Sequence, residues 1–246
     1  MLNGYLGVDG CRSGWFIIQL SQSGSWNTAL AQNRNELAKH IESSILTLID
    51  IPIGLLESGG PQRECDQQAR KALGMPRAAS VFSVPSRPAV YANGYTQACQ
   101  LNYQLLGKKL GKQTWNISDK IRQVDELLQN NLVLRGKLRE SHPEVCFWAL
   151  NNKNAMRFNK KQIRGREERM HVLTCYFPKA HQILEIAADN YSRKQVAIDD
   201  IIDAMVLAIT AVLGYKTLSS FPNVSRLDDR SLRMEIAFWT PYGNNL

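Results

Sequence analysis

Between residues 5 and 20 the apolar positions first alternate and then run together. Leu6 and Val8 fall on one side, and Trp15 to Leu20 is almost unbroken apolar sequence. Gly10 and Gly14 bracket the reversal, so the stretch predicts two strands joined by a tight turn. Ser25 to Leu30, after the Ser23-Gly24 turn, reads as a third strand. Asn33 or Asn35 can cap a helix whose inner face is Leu37, Ala38 and Ile41. Ile45 to Ile51 then predicts a buried strand that reaches Asp50 and is stopped by Pro52. Three strands, a helix and a further strand make a meander followed by a crossover. The expected result is a mixed α/β sheet with the Asp50 strand parallel to the Asp9 strand.

From about residue 54 to residue 131 the pattern changes. Pro61, Pro76, Pro85 and Pro88 punctuate short segments, one of which predicts a helix over Glu64 to Leu73. Lys108, Lys109 and Lys112 precede Gln113-Thr114-Trp115, and Ile117, Ile121, Val124, Leu127 and Leu128 recur at helical spacing. This stretch is expected to be a large helical insertion or lid within a single domain spanning residues 1–246, since neither end has the composition of a linker. Leu134 to Glu140 reads as a basic, edge-facing strand, and Pro143 is placed to start a helix through Leu150. A cationic stretch follows at Lys160, Lys161, Arg164, Arg166 and Arg169. Asp199 to Leu213 is apolar almost all round, which predicts a buried helix ending at Gly214. Residues 217–246 carry no readable pattern, and no internal repeat is present.

The 246 residues include 44% hydrophobic ones, enough for a sizeable core. No apolar run approaches the roughly 18 to 20 residues needed to span a bilayer, so no membrane association is expected. The first residues do not have the form of a signal peptide. Five scattered cysteines without a Cys-x-x-Cys pair argue against a zinc ribbon or a disulfide framework, and suit reduced thiols in the cytoplasm. The net charge of +8 favours a polyanionic partner.

Within this basic chain certain acids stand in apolar surroundings. Asp9 ends a strand where burial favours another valine, and a bare carboxylate there costs several kcal/mol. Asp50 ends a second strand. Asp203 lies too deep in its helix to cap it, and Asp200, three residues earlier, shares its face. Asp200 divides evenly between helix cap and site residue, whereas Asp199 reads as a cap. Of Glu140 and Glu144, which flank His142-Pro143, Glu140 at the strand end is taken as the site member. The histidines have no ligand spacing and read as surface or packing residues. Asp9, Asp50 and Asp203 together cannot all stay ionised without a cation, and oxygen-only ligands suit Mg2+ or Mn2+. Two such ions about 4 Å apart would serve in-line phosphodiester cleavage.

Several segments, taken in order, resemble a known family. They are Gly7-Val8-Asp9-Gly10-Cys11-Arg12 with Gly14-Trp15, Ile49-Asp50-Ile51-Pro52-Ile53-Gly54-Leu55, and the run from Arg63 and Cys65-Asp66 to Ala69-Arg70 and Leu73-Gly74. Ser80-Val81-Phe82, Pro85 with Arg87, Gln113 with Trp115 and Ile117, Glu140 with His142-Pro143-Glu144, and Asp199-Asp200 with Asp203-Ala204 complete the set. The chain is similar to the family catalogued as domain of unknown function 429, predicted nucleases of the RNase H-like fold. The resemblance implies a five-stranded mixed sheet of order 3-2-1-4-5 flanked by helices, with the helical insertion after the fourth strand. The Asp200-x-x-Asp203-Ala204 pattern is similar to that of Holliday-junction resolvases. Gln123 stands where the family's glutamate is expected. Arg12, Arg63, Arg70, Arg87 and Gln113 fall within or beside the matched motifs as candidate substrate-binding residues, although the arginines could equally pair with neighbouring acids.

The expected activity is therefore metal-dependent hydrolysis of a nucleic acid by Asp9, Asp50, Asp203, Asp200 and Glu140, the first three holding Mg2+ or Mn2+. Two rivals stay open. A phosphotransferase of the actin-like type also opens with an Asp-Gly turn, but calls for a second similar half. A non-catalytic nucleic-acid-binding or scaffold protein would keep the same fold. The type of nucleic acid and the formation of a homo-oligomer are left open.

Overall fold

The structure is a computed structural model and describes residues 4–59 and 62–241; Pro61 lies outside the described residues. Strands β1 (Tyr5–Cys11), β2 (Gly14–Leu20) and β3 (Trp26–Ala31) form an antiparallel meander. Helix α1 (Arg34–Glu42) crosses over to β4 (Leu46–Ile49), which lies parallel to β1 with Val8 opposite Ile49. Asn33 caps α1 by accepting from the amides of Asn35 and Glu36. A short strand, β5 (Leu138–Glu140), adds in parallel to β4, giving the order β3-β2-β1-β4-β5.

The intervening segment holds α2 (Glu64–Leu73), a 3-10 turn at Arg77–Ser80, α3 (Arg87–Val90), α4 (Tyr95–Leu106), α5 (Lys112–Asn116), α6 (Ser118–Asn130) and α7 (Leu132–Lys137). Leu132 to Lys137 is a helix rather than the start of a strand, because the Asn131 side chain accepts from the amides of Val133 and Leu134. Only Leu138–Glu140 of the expected edge strand is extended. The segment is built into the body of the protein at two places. Cys65, Ala69 and Leu73 of α2 enter one core, and Ile121, Val124 and Leu128 of α6 enter the other.

After β5 come α8 (Pro143–Leu150), α9 (Ile163–Tyr176), α10 (Ala180–Asn190) and α11 (Ile198–Gly214). Residues 219–238, unreadable in the sequence, form a hairpin of β6 (Ser219–Leu227) and β7 (Arg233–Phe238). It docks beside β5 through a parallel bridge between Ser141 and Ala237, the Arg139–Glu235 ion pair and a cluster of Trp148, Phe221 and Phe238.

The sheet has a different core on each face. Leu6, Val8, Ile49 and Leu138 point toward α1, α6 and α7, while Tyr5, Cys11, Leu46 and Leu48 point toward α8 and α11. Helix α11 lies directly on β1. A Cβ at Gly7 would stand 2.0 Å from the Ala204 carbonyl oxygen and 2.2 Å from the Ala208 amide nitrogen, so only glycine lets the two backbones meet. Side chains alternate along a strand, and Asp9 and Asp50 therefore both emerge on the α11 face. Asp203 precedes the residue that touches Gly7, which brings it to the same end of the sheet.

Candidate acidic site at the sheet rim

Asp9, Asp50 and Asp203 line one cavity of about 630 Å3 at the end of β1 and β4. Asp50 leaves β4 with its amide on the Val8 carbonyl at 3.0 Å, continuing the parallel ladder for one residue. Asp9 is 8% exposed and Asp203 1%, while Asp50 is half-buried. Asp9 accepts from the Gly10 amide at 2.8 Å. One oxygen of Asp203, Oδ2, is paired with the Lys160 ammonium; the other, Oδ1, is buried and has no hydrogen-bond partner.

These carboxylates act on one another. Burial pushes Asp9 well above the usual carboxylate range, and the charges of Asp50, Asp203 and Asp200 push it further, with Lys160 opposing. Burial raises Asp203 to about 6 against the pull of Lys160. Asp50 is also raised, first by burial, although His142 and Lys160 favour its ionised form. Lys160 in turn is held in its charged form by Asp203, Asp9 and Asp50, against its own burial. Asp200 completes a helix cap, accepting from the Ala197 amide at 2.8 Å, and stands close enough to raise Asp9.

Glu140 does not join this group. It shares the face of Leu138, toward α6, whereas Asp9 and Asp50 occupy the opposite face. Its Oε2 accepts from the Ile53 amide at 2.6 Å and pairs with Arg63, and burial pushes the carboxyl up to about 8. Glu144 is the acid that lines the cavity, together with His142. Glu144 Oε1 pairs with the fully buried Arg169, and its Oε2 is buried without a partner. Arg169 is anchored in turn on the Phe158 and Gly165 carbonyls at 3.1 and 2.9 Å. The His142 side chain caps α8, with Nδ1 accepting from the Glu144 amide at 3.2 Å.

The candidate substrate arginines mostly have structural partners. Arg63 is buried between Asp66 and Glu140 and also donates to the Ile53 carbonyl at 3.0 Å. Arg70 donates to the Val81 and Phe82 carbonyls at 2.8 and 2.9 Å. Arg87 is buried among Asp125, Asp228 and Glu57, which ties α3, α6 and the β6–β7 turn together. These guanidinium groups are held by the fold, and Arg63 and Arg70 line a separate cavity. Arg12 is exposed, and Gln113 alone of the five lines the cavity. The cations that do line it are Arg77, Lys120, Lys160 and Lys161. Lys120, from α6, donates to the Gly14 carbonyl at 2.5 Å and lies 4.5 Å over the Trp15 ring. Gln123, standing where the family's glutamate was expected, accepts from the Trp15 indole at 3.3 Å.

Glu144, His142 and Lys160 were not singled out in the sequence as site residues. The signal for Glu144 was the two-residue period of β5, which turns Glu140 to the far face when Leu138 faces α6. Lys160 stood in a cationic stretch with nothing to mark it from its neighbours.

Together these features define an α/β protein with a buried carboxylate cluster, countered by a lysine, at the rim of a five-stranded mixed sheet. The sequence matches the family described as "Protein of unknown function (DUF429)" over residues 7–224, and the chain belongs to that family. No curated protein and no solved structure matches it significantly. The five cysteines are free thiols, and among the described residues no helix is long and apolar enough to cross a membrane.

Proposed function

We propose that the chain is a divalent-metal-dependent phosphodiesterase of RNase H-like architecture that acts on nucleic acid. The observation that carries this reading is Asp203 Oδ1, buried in the cavity with no partner beside Asp9 and Asp50. A carboxylate oxygen left so is costly unless a ligand takes it up. Oxygen-only donors suit Mg2+ or Mn2+ in kind and in charge. Among the described residues, no group of three or more His, Cys, Asp or Glu side chains is already arranged to hold a metal ion. Lys160 supplies the positive charge there. Asp9, Asp50 and Asp203 are the residues that would hold the ion. When bound, such an ion lowers the pKa of a water and offsets charge on a phosphate.

The remaining roles belong to this chain's own groups. Arg77, Lys120 and Lys161, which line the cavity, supply the charge that attracts and orients a phosphate backbone. His142 helps to hold the cavity wall, with Nδ1 accepting from the Glu144 amide at 3.2 Å and Nε2 3.4 Å from the Ser80 carbonyl. Labelled single-stranded, duplex, hybrid and branched nucleic acids, incubated with Mg2+ or Mn2+, test the proposal. Cleavage that disappears in Asp9→Asn with the fold intact supports it, and turnover retained in that variant counts against it.

One observation favours a second reading. The Lys160–Asp203 pair satisfies part of the acid cluster without any metal, as a non-catalytic nucleic-acid-binding or scaffold protein on the same fold would require. Binding with a steep salt dependence but no cleavage would select it.

A further inference from the structure

We propose that Lys160 is a permanent member of the acidic centre, standing where a second cation would stand, so that the centre takes one divalent ion rather than two. The inference rests on the metal-dependent reading above and specifies its stoichiometry.

The argument is one of charge and of unfilled oxygens. Glu144 carries its own counter-ion in Arg169, which is fully buried and fixed by two backbone carbonyls. Asp200 accepts from the Ala197 amide, and Lys160 and then Lys120 favour its ionised form. Of the cations lining the cavity, Lys160 is the one that pairs directly with an acid of the centre, and Asp203, Asp9 and Asp50 all act on it. With all three ionised on a bound metal, three carboxylates against one ammonium leave two negative charges, which one divalent ion neutralises. Two divalent ions together with the ammonium would leave the centre positive and buried, an arrangement that desolvation opposes.

The placement of Lys160 agrees with this division. Its Nζ takes Asp203 Oδ2 and leaves Oδ1 buried and unpaired, so one oxygen of that carboxylate is engaged and the other lacks a partner. The residue does not swing on a bare surface arm. Asn159 accepts from the Lys161 amide at 3.0 Å, and Glu168 accepts from the amides of Arg157 and Phe158 at 2.8 and 3.0 Å. The Phe158 and Asn159 carbonyls pack where a Cβ on Gly165 would otherwise stand, the latter within 2.0 Å. The loop carrying Lys160 is thereby pinned to α9, and its ammonium reaches into the centre with 37% of the side chain still exposed.

The test is the number of Mn2+ ions bound per chain, read from the loss of the free-ion electron paramagnetic resonance signal and confirmed by calorimetry. Mn2+ alone is the probe, at pH 7.5, on the full chain. The wild type is expected to bind one ion. Lys160→Met is expected to bind two, the second within about tenfold of the first in affinity. Lys160→Arg, which keeps the charge, is expected to bind one. Circular dichroism establishes that each variant is folded. Two ions in the wild type, or a single ion in folded Lys160→Met, overturn the role of Lys160 while leaving the metal-dependent reading intact. No Mn2+ bound by the wild type overturns both. The wild-type count decides the matter even if Lys160→Met fails to fold.

Discussion

The carboxyl of Asp203 gives a measurable penalty with a definite sign. In an unfolded chain it ionises near 3.8, and in the folded protein near 6, chiefly because it is buried. The folded state therefore holds the proton more tightly than the unfolded one between those values. Stability is fully present below about pH 4 and is lost as pH rises through 6. At about 1.4 kcal/mol for each factor of ten in proton affinity, the ionised Asp203 costs on the order of 3 kcal/mol at neutral pH. Asp203→Asn removes that cost. It also removes a partner from Lys160, but the lysine is 37% exposed and can turn toward water. A net gain of about 1 to 3 kcal/mol above pH 7 is expected, equivalent to roughly 2 to 4 °C in melting temperature per kcal/mol for a chain of this size. Urea unfolding of both proteins at pH 4, 5, 6 and 7.5, with chelator present, measures it. The two stability curves should meet near pH 4 and separate above pH 6, with the wild type the less stable. Their separation reports Asp203 together with the coupled Asp9 and Asp50, which also lose a like charge. A variant less stable than wild type at pH 7.5, or one with an unaltered pH dependence, would refute the reasoning.

Two further predictions concern how the site is held. Arg87→Ala leaves Asp125 and Asp228 buried without their cation and should cost about 3 to 5 kcal/mol in urea unfolding, whereas a surface role in substrate binding would leave stability unchanged. Gly7→Ala drives a methyl group into the backbone of α11 and should cost about 3 kcal/mol or more. Because α11 carries Asp203, any folded fraction of Gly7→Ala should also bind Mn2+ more weakly by calorimetry.

The sheet was legible in the sequence because its strands carry unambiguous patterns. The alternation through Leu6 and Val8, the apolar run from Trp15 to Leu20 and the buried stretch at Leu46–Ile49 leave no competing period. Helix α11 was equally plain, being apolar on nearly every side. The stretch before Glu140 was not, because Leu132-Val133-Leu134 suits a strand or a helix, and the deciding contact, the Asn131 cap, involves backbone amides. The acids of β1, β4 and α11 could be read because each interrupts an apolar segment. The arginines could not, since an arginine that grips a phosphate and one that anchors Asp125 look alike until their partners are placed. Lys160 became visible only once the chain had folded it onto Asp203, across a gap of 43 residues.

The β6–β7 hairpin has a consequence for the order in which the protein is made. Residues 9, 50 and 203 are all synthesised before Arg233–Phe238, the strand that comes to lie beside β5, and the region matched by the family stops at residue 224. A chain interrupted after Gly214 would possess every acid of the centre and still leave β5 bare along one side. Such an edge invites pairing with another molecule. Translation of the closing strand, more than completion of the chemistry, would then divide nascent chains that stay single from those that clump.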